Sequence, residues 1–362
     1  MVNQTHIQNC QAKMKEKGYD ALILVSHENV RYLLNFLFDD GYVVVTQDKV
    51  FVLTDFRYEE AAQKALLPDC EILLPENGMY AAIREVLEAG HLHTAVTEED
   101  VLSFGQYHAM QKALQPCTLS EGASAVLTEL RLYKDWEEVE KMKKAQKITD
   151  LAFDHILSYL NYDRTEVDVA LELEFFMRSH GAEALAFTTI AVSGTQSALP
   201  HGEPRPVKLE KGFLTMDFGC KCDGYCSDMT RTVAIGKADD EMKELYATVL
   251  RAQTAGLEAA GEGASCRELD AIARNIIDAN PKYRGCFGHS LGHGVGLYIH
   301  ESPRLSQRVS PEARLMRGNT VTVEPGIYLP GKYGCRIEDM TCVLPDGTFY
   351  DFTGSPKELF EI

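Results

Sequence analysis

The sequence predicts two domains of mixed helix and strand: a small α/β domain over residues 1–128, then an internally duplicated α+β domain over residues 129–362. Two observations carry this. Residues 1–128 alternate short apolar runs with helix-like stretches, the texture of a layered α/β unit. From about Asp135 longer helical periodicities take over, and an order of two helices, a His-bearing segment and a strand pair occurs twice. The duplication rests on element order, not on residue identity. At 362 residues the chain is long for one core and ample for two.

In the first domain, residues 21–25, 42–46 and 50–53 are rich in Val, Ile and Leu and read as strands. Residues 55–67 and 79–89 read as helices. His27, His91, His93 and His108 fall here without carboxylates at metal-ligand spacing. In the second domain, residues 136–160 and 165–180 carry helical periodicity, with Thr165 as the N-cap of the latter. A strand over 186–193 leads into a loop over 194–206 that contains His201, and strands over 212–219 and 229–235 follow, joined by CKCDGYCSD. The order then restarts, with helices over 241–261 and 265–280, a Gly/His-rich segment, and strands over 320–329 and 336–344. Two such halves facing each other would enclose a cleft.

Charge excludes some functions. Acidic residues outnumber basic ones 54 to 36, for a net charge of -18, which repels a phosphate backbone. The densest basic cluster, Lys141 to Lys147, is interleaved with Glu137, Glu138 and Glu140 and reads as a solvated helix face. No nucleic-acid partner is expected. The opening MVNQTHIQNC lacks a basic start and an apolar run, and no apolar stretch approaches the roughly 20 residues that span a bilayer. A cytoplasmic protein with no membrane partner is the expectation, and ten scattered cysteines read as free thiols. Cys220, Cys222 and Cys226 lack CxxC spacing and a second pair, so ordinary hairpin thiols are expected.

Three segments concentrate chemistry. In MDFGCKCDGYCSDMTRT, Asp217 and Asp228 stand 11 residues apart on either side of a turn containing Gly224. Carboxylates on the two arms of a hairpin share a face when the register is right. Asp217 lies in an apolar run, and a buried carboxylate is costly unless paired or metal-bound. The alternative is a polar, Asp-rich turn. In FGHSLGHGVGLYIHE, His289, His293 and His300 stand among glycines that disfavour a helix. The string is neither HExxH nor GxGxxG, so a zincin site and a phosphate loop both fail. In VTVEPGIYLP, Glu324 ends a β-branched run before a Pro-Gly turn, and in CRIEDMTCVL, Glu338 lies in a β pattern; both need partners, and Arg336 offers a plain salt bridge, but not easily to both. Asp217, Asp228, His293, Glu324 and Glu338 together make four carboxylates and one imidazole, a donor set suited to Mn²⁺, Co²⁺, Zn²⁺ or Fe²⁺. Two such ions ~3.5–4 Å apart can share a water held as hydroxide near neutral pH, competent to attack an amide.

On these strings the sequence resembles the pita-bread metallopeptidases, in the Xaa-Pro aminopeptidase and prolidase branch. DFGCKCDGYCSDMTRT, GHSLGHGVGLYIHE, TVEPGIY and RIED match that family's motifs in order and spacing. The resemblance covers residues 130–350, and an N-terminal α/β domain of this size also belongs to that branch. It implies a pita-bread catalytic domain with pseudo-twofold duplication behind a creatinase-like N-terminal domain. It assigns Asp217 to one metal, Asp228 and Glu338 as bridges, and His293 and Glu324 to the other metal. Two divalent ions are implied, manganese foremost, with cobalt, zinc and iron also compatible. His300 would contact the substrate carbonyl, Glu324 would also carry protons, and His201 and His289 would be further active-site histidines. Arg336 stands where prolidase-like enzymes have Arg and methionine aminopeptidases have Gln. The implied activity is hydrolysis of the Xaa-Pro bond at the N-terminus of small peptides with proline second, in a homodimer. The alternatives are a dipeptidase confined to Xaa-Pro, which needs a cation to read the free carboxylate, and a non-catalytic pita-bread binding protein, whose ligands would be eroded.

Overall fold

The computed structural model describes residues 2–362, and the chain divides into two compact units, one ending at Arg131 and the other starting at Leu132. The first unit holds α1 Gln4–Lys17, β1 Ala21–Leu24, α2 His27–Leu34, β2 Tyr42–Thr46, β3 Val50–Leu53 and α3 Phe56–Leu66. It continues with β4 Glu71–Leu73, α4 Met79–Ala89, β5 Thr94–Thr97, α5 Phe104–Ala113, β6 Thr118–Glu121 and α6 Ala123–Arg131. The strands form one sheet in the order β4-β3-β2-β1-β5-β6. The β1–β2 and β2–β3 pairs are antiparallel and the rest parallel. The central strand β1 reads ALIL and is buried throughout, as a strand covered on both faces should be.

The second unit opens with α7 Trp136–Tyr159 and α8 Glu166–Ser179. Asp135 and Thr165 are their N-caps, each in a reciprocal capping box with the residue three further on. Then come β7 Ala184–Leu185, β8 Ile190–Ser193, a 3-10 turn over Gly194–Ala198, β9 Gly212–Phe218, β10 Cys220–Cys222, β11 Tyr225–Cys226 and β12 Met229–Ile235. The second half repeats the plan with α9 Asp240–Ala259, α10 Cys266–Asp278, β13 Gly292–Gly294, β14 Glu301–Leu305, β15 Thr320–Val323, β16 Gly326–Leu329, β17 Tyr333–Arg336, β18 Asp339–Val343 and β19 Phe349–Asp351. Its main sheet runs β14-β13-β15-β18-β19, against β12-β9-β8 in the first half. Each half has its own apolar core, one around Phe153, Leu173, Leu214 and Val233, the other around Val249, Leu269, Leu291 and Val323. The duplication extends to a detail: the N-cap of the second helix in each half makes an isolated antiparallel bridge, Thr165 to Lys208 and Ser265 to Arg314.

Three predicted strands differ from the observed ones, for one reason. The run over 186–193 becomes strand only at Ile190, because the chain there leaves β10, the partner of β7, for β9, the partner of β8. The run over 320–329 breaks between β15 and β16 at Glu324 and Pro325, and the run over 336–344 breaks between β17 and β18 at Ile337 and Glu338. β15 pairs with β18 in the large sheet, whereas β16 pairs with β17 in a separate ribbon. Both chains change partner at the same level, so both glutamates stand at the junction. Apolar patterning marks where a chain is extended, not which neighbour it pairs with. Among the described residues no helix is long and apolar enough to cross a membrane. All ten cysteines are free thiols; Cys220 and Cys226 are buried, and burial pushes the Cys220 thiol up to about 11.

Candidate metal and active site

The hairpin register decides the first two carboxylates. β9 pairs with β12 so that Asp217 faces Thr230 and Phe218 faces Met229. Asp228 immediately precedes β12 and so falls opposite Gly219, on the face that carries Asp217. The hairpin is carried on by β10 and β11 and closes through Asp223 and Gly224, both at positive φ, the conformation of a tight two-residue hairpin turn. Gly219 is required where it stands: a Cβ there would lie 2.0 Å from the Ser227 carbonyl oxygen.

The other groups arrive from the second half. His293 projects from β13, and its Nδ1 lies 3.0 Å from the Gly294 carbonyl oxygen. A carbonyl only accepts, so Nδ1 carries the proton and Nε2 presents a lone pair. That lone pair faces Asp228 Oδ2 at 3.4 Å and Glu324 Oε1 at 3.6 Å. Burial pushes the imidazole down to about 3, so it is neutral. Ligand atoms of Asp228, His293 and Glu338 lie within 4.8 Å of one another. Burial first, and then the neighbouring carboxylates, raise Asp228 and Glu324 well above the usual carboxylate range and Glu338 to about 8. Asp217 Oδ1 is buried without a hydrogen-bond partner. Lone pairs converging on lone pairs, an orphaned carboxylate oxygen and carboxyls disfavoured as anions share one remedy, a divalent cation among them. The donor set of oxygens with one nitrogen fits such ions.

A hydrogen-bond chain surrounds these groups. Arg336 donates to Asp217 Oδ2 at 2.6 Å, to Thr230 Oγ1 at 2.9 Å, to the Tyr328 hydroxyl at 2.8 Å and to the Pro200 carbonyl at 3.3 Å. It therefore serves Asp217 and neither glutamate. Thr230 passes its own proton to Glu338 Oε2 at 2.6 Å. Tyr328, whose oxygen accepts from Arg336, lies 2.9 Å from His289 Nε2. His289 Nδ1 donates to the Ser290 carbonyl, so the Tyr328 hydroxyl donates to Nε2. Burial, with Arg336 as the next cause, pushes His289 down to about 4.

All nine site residues named from the sequence line one cavity of about 560 Å³: Asp217, Asp228, His293, Glu324, Glu338, His201, His289, His300 and Arg336. His201 and His300 are solvent-exposed on its wall, and the His300 ring lies 4.3 Å from that of His293, edge to face. Sequence reasoning missed Thr230, Tyr328 and Arg304. Thr230 looks like any β-branched strand residue, whereas Tyr328, four residues after Glu324, repeats the strand periodicity toward the same side. Arg304 is exposed, lines the cavity and has no ion-pair partner among the described residues. Phe187 and Ile299 add apolar wall.

The model of metallopeptidase family M24 matches residues 140–345, and that of the creatinase/prolidase N-terminal domain matches residues 6–133. An uncharacterized peptidase of Bacillus subtilis is 40% identical over 343 residues, covering 94% of this chain and 96% of that one. An Xaa-Pro dipeptidase of Pyrococcus horikoshii is 34% identical, covering 92% and 93%. Among solved structures, an Xaa-Pro dipeptidase from Bacillus anthracis superposes with a TM-score of 0.93 at 38% identity over 99% of both chains. An X-Pro aminopeptidase from Thermotoga maritima does so with a TM-score of 0.88 at 32% identity, over 97% of this chain and all (100%) of that one. With the catalytic-domain match spanning every carboxylate of the cavity, and relatives aligned over nearly their whole length, the chain belongs to metallopeptidase family M24 and is an enzyme.

Proposed function

We propose that this enzyme hydrolyses the peptide bond before proline in short peptides, releasing the N-terminal residue, with Xaa-Pro dipeptides as its preferred substrates. The observation that carries the metal-dependent part is the His293 Nε2 lone pair aimed at two carboxylates. The relatives named for Xaa-Pro peptidase activity support the specificity.

In this proposal Asp217, Asp228, His293, Glu324 and Glu338 would hold the divalent metal. Bound there, the ions supply Lewis acidity and an activated water. The chain's own groups do the rest. The Xaa-Pro bond is a tertiary amide, so its nitrogen has no hydrogen and must gain one as the bond breaks. Glu324, a carboxylate on the cavity wall beside His293, is the group to carry that proton. His300 donates a hydrogen bond to the carbonyl oxygen as negative charge grows on it. His201 and His289 flank the substrate, and Arg336 fixes Asp217 through one oxygen while leaving the other free. Phe187 and Ile299 offer an apolar surface to the proline ring.

Dipeptide preference rests on Arg304, the unpaired guanidinium on the cavity wall, which suits the carboxylate a dipeptide presents directly after proline. The test is hydrolysis of Ala-Pro and Ala-Pro-Ala side by side with added Mn²⁺. Faster turnover of Ala-Pro supports the dipeptidase form, and cleavage of the tripeptide alone returns the enzyme to the aminopeptidase form. The proposal extends to manganese as the native metal and to a homodimer, both from the resemblance. It extends to a cytoplasmic setting, in keeping with ten free thiols.

A further inference from the structure

Arg231 is 1% exposed, and it leads the fully buried side chains by volume. All five of its N–H donors are used. Nε donates to the Pro356 carbonyl at 3.0 Å; Nη1 donates to the Thr230 carbonyl at 3.0 Å and the Glu338 carbonyl at 2.7 Å; Nη2 donates to Asp339 Oδ1 and to the Ser355 carbonyl, both at 2.8 Å. Asp339 is fully buried, and its other oxygen accepts from Gln253 Nε2 at 2.7 Å and contacts Lys357. The Ser355 turn is anchored in turn by Asp150, which accepts from the Ser355 hydroxyl at 2.7 Å and from the amides of Gly354 and Ser355.

A buried guanidinium–carboxylate pair adds little net stability over an apolar pair of the same volume, because desolvation cancels most of the attraction. Its use here follows from what it touches. Glu338 stands between β17 and β18, where the strand ladder is interrupted. Its amide still finds the Thr230 carbonyl at 3.1 Å, but its carbonyl depends on Arg231. Two of the backbone carbonyls that Arg231 grips belong to Thr230 in β12 and to Glu338 at the break, whose side chains hydrogen-bond to each other. Arg231 thus supplies at the junction the backbone restraint that sheet pairing supplies elsewhere.

We propose that Arg231 and Asp339 are positioning residues for the divalent-cation centre, holding the Glu338 backbone so that its carboxylate meets the metal. The proposal rests on Glu338 being a ligand. Mn²⁺ affinity of the full-length protein, measured by calorimetry, together with kcat and KM on Ala-Pro at saturating Mn²⁺, tests it in Arg231→Lys and Asp339→Asn. Mn²⁺ Kd should rise about 10–100-fold. kcat should fall while KM stays within about twofold, with unfolding still cooperative. Gln253→Met withdraws one hydrogen bond from Asp339 at similar volume and gives the comparison in its mildest form should the other variants fail to fold. Lowered thermal midpoints with unchanged Mn²⁺ Kd and unchanged kcat per folded molecule would mean a structural role only and overturn the proposal. Glu338→Gln separates the two readings: wild-type Mn²⁺ affinity there refutes Glu338 as a ligand, whereas weakened affinity there beside wild-type affinity in the other variants refutes the positioning role alone.

Discussion

Arg336 Nη2 donates to Asp217 Oδ2 at 2.6 Å and leaves Asp217 Oδ1 buried without a partner. One carboxylate is thereby divided between two duties, one oxygen fixing its orientation and the other free to bind an ion. In the metal-free protein Arg336→Met should leave the largely buried Asp217 carboxylate without its cation, which costs roughly 3–5 kcal/mol of stability. A lower thermal midpoint together with at least an approximately tenfold loss of kcat/KM is expected. Arg336→Lys restores the charge but not the planar set of donors, and should recover the first effect more than the second.

Asp228→Ala or Glu338→Ala should abolish hydrolysis, with bound metal counted by elemental analysis falling alongside it. Undiminished turnover of an Ala-Pro peptide by either variant would sink the assignment of these carboxylates to the metal centre.

His300 touches no carboxylate in the centre, and its ring packs on that of His293. His300→Ala should retain metal while kcat drops on the order of 10²–10³-fold, as when a donor to a developing oxyanion is removed. Loss of metal in this variant would make His300 a ligand instead.

Metal dependence should vary with pH in a fixed direction. In the metal-free protein Glu338 is held up at about 8, whereas unfolded it titrates near an ordinary glutamate, so across that interval the folded form binds the extra proton. Stability of the stripped enzyme from this group is therefore lost as pH rises toward 8. Neutral His289, pushed down to about 4, works the other way, removing stability as pH falls from about 6.5 toward 4. With Glu338 as a ligand a cation would replace its proton, so the rise in thermal midpoint on adding Mn²⁺ should be larger at pH ~8 than at pH ~5.5. Equal gains at both would contradict the burial-driven shift.

Arg304→Ala should raise KM for Ala-Pro roughly 10–100-fold, the worth of one charge-assisted hydrogen bond. The effect should vanish with Ala-Pro amide, which has no carboxylate to lose. A uniform effect on acid and amide would remove Arg304 from substrate recognition.

Much of this centre was legible because its chemistry is written in short strings. Asp217 and Asp228 flank one turn, the glycines around His293 exclude a helix, and buried glutamates in β-rich runs demand partners. Where the strands change neighbours was not legible. Glu324 reads as the end of a β-branched run before a Pro-Gly turn, which marks its break, whereas Glu338 looks like a mid-strand residue and yet also occupies a break, since side-chain patterning does not encode pairing across 100 residues. For the same reason Arg336 looked like a partner for a glutamate and instead serves Asp217, 119 positions away. Arg304 and Thr230 passed unnoticed because an exposed arginine and a strand threonine are ordinary until the fold turns them toward a cavity.

The break at Glu338 has a consequence for how the enzyme is made. Asp217 and Asp228 belong to the first half of the second unit, while His293, Glu324 and Glu338 belong to the other, and the Thr230–Glu338 hydrogen bond spans 108 residues. A chain emerging from the ribosome completes the sheet of β8, β9 and β12, with its two acidic groups, before any of those three residues exists. That half carries only two of the five proposed ligands, because the imidazole and both glutamates are still to be synthesised. With the proposed ligand set, metal loading would be a late event in biogenesis, completed only in a chain whose second repeat has closed onto the first.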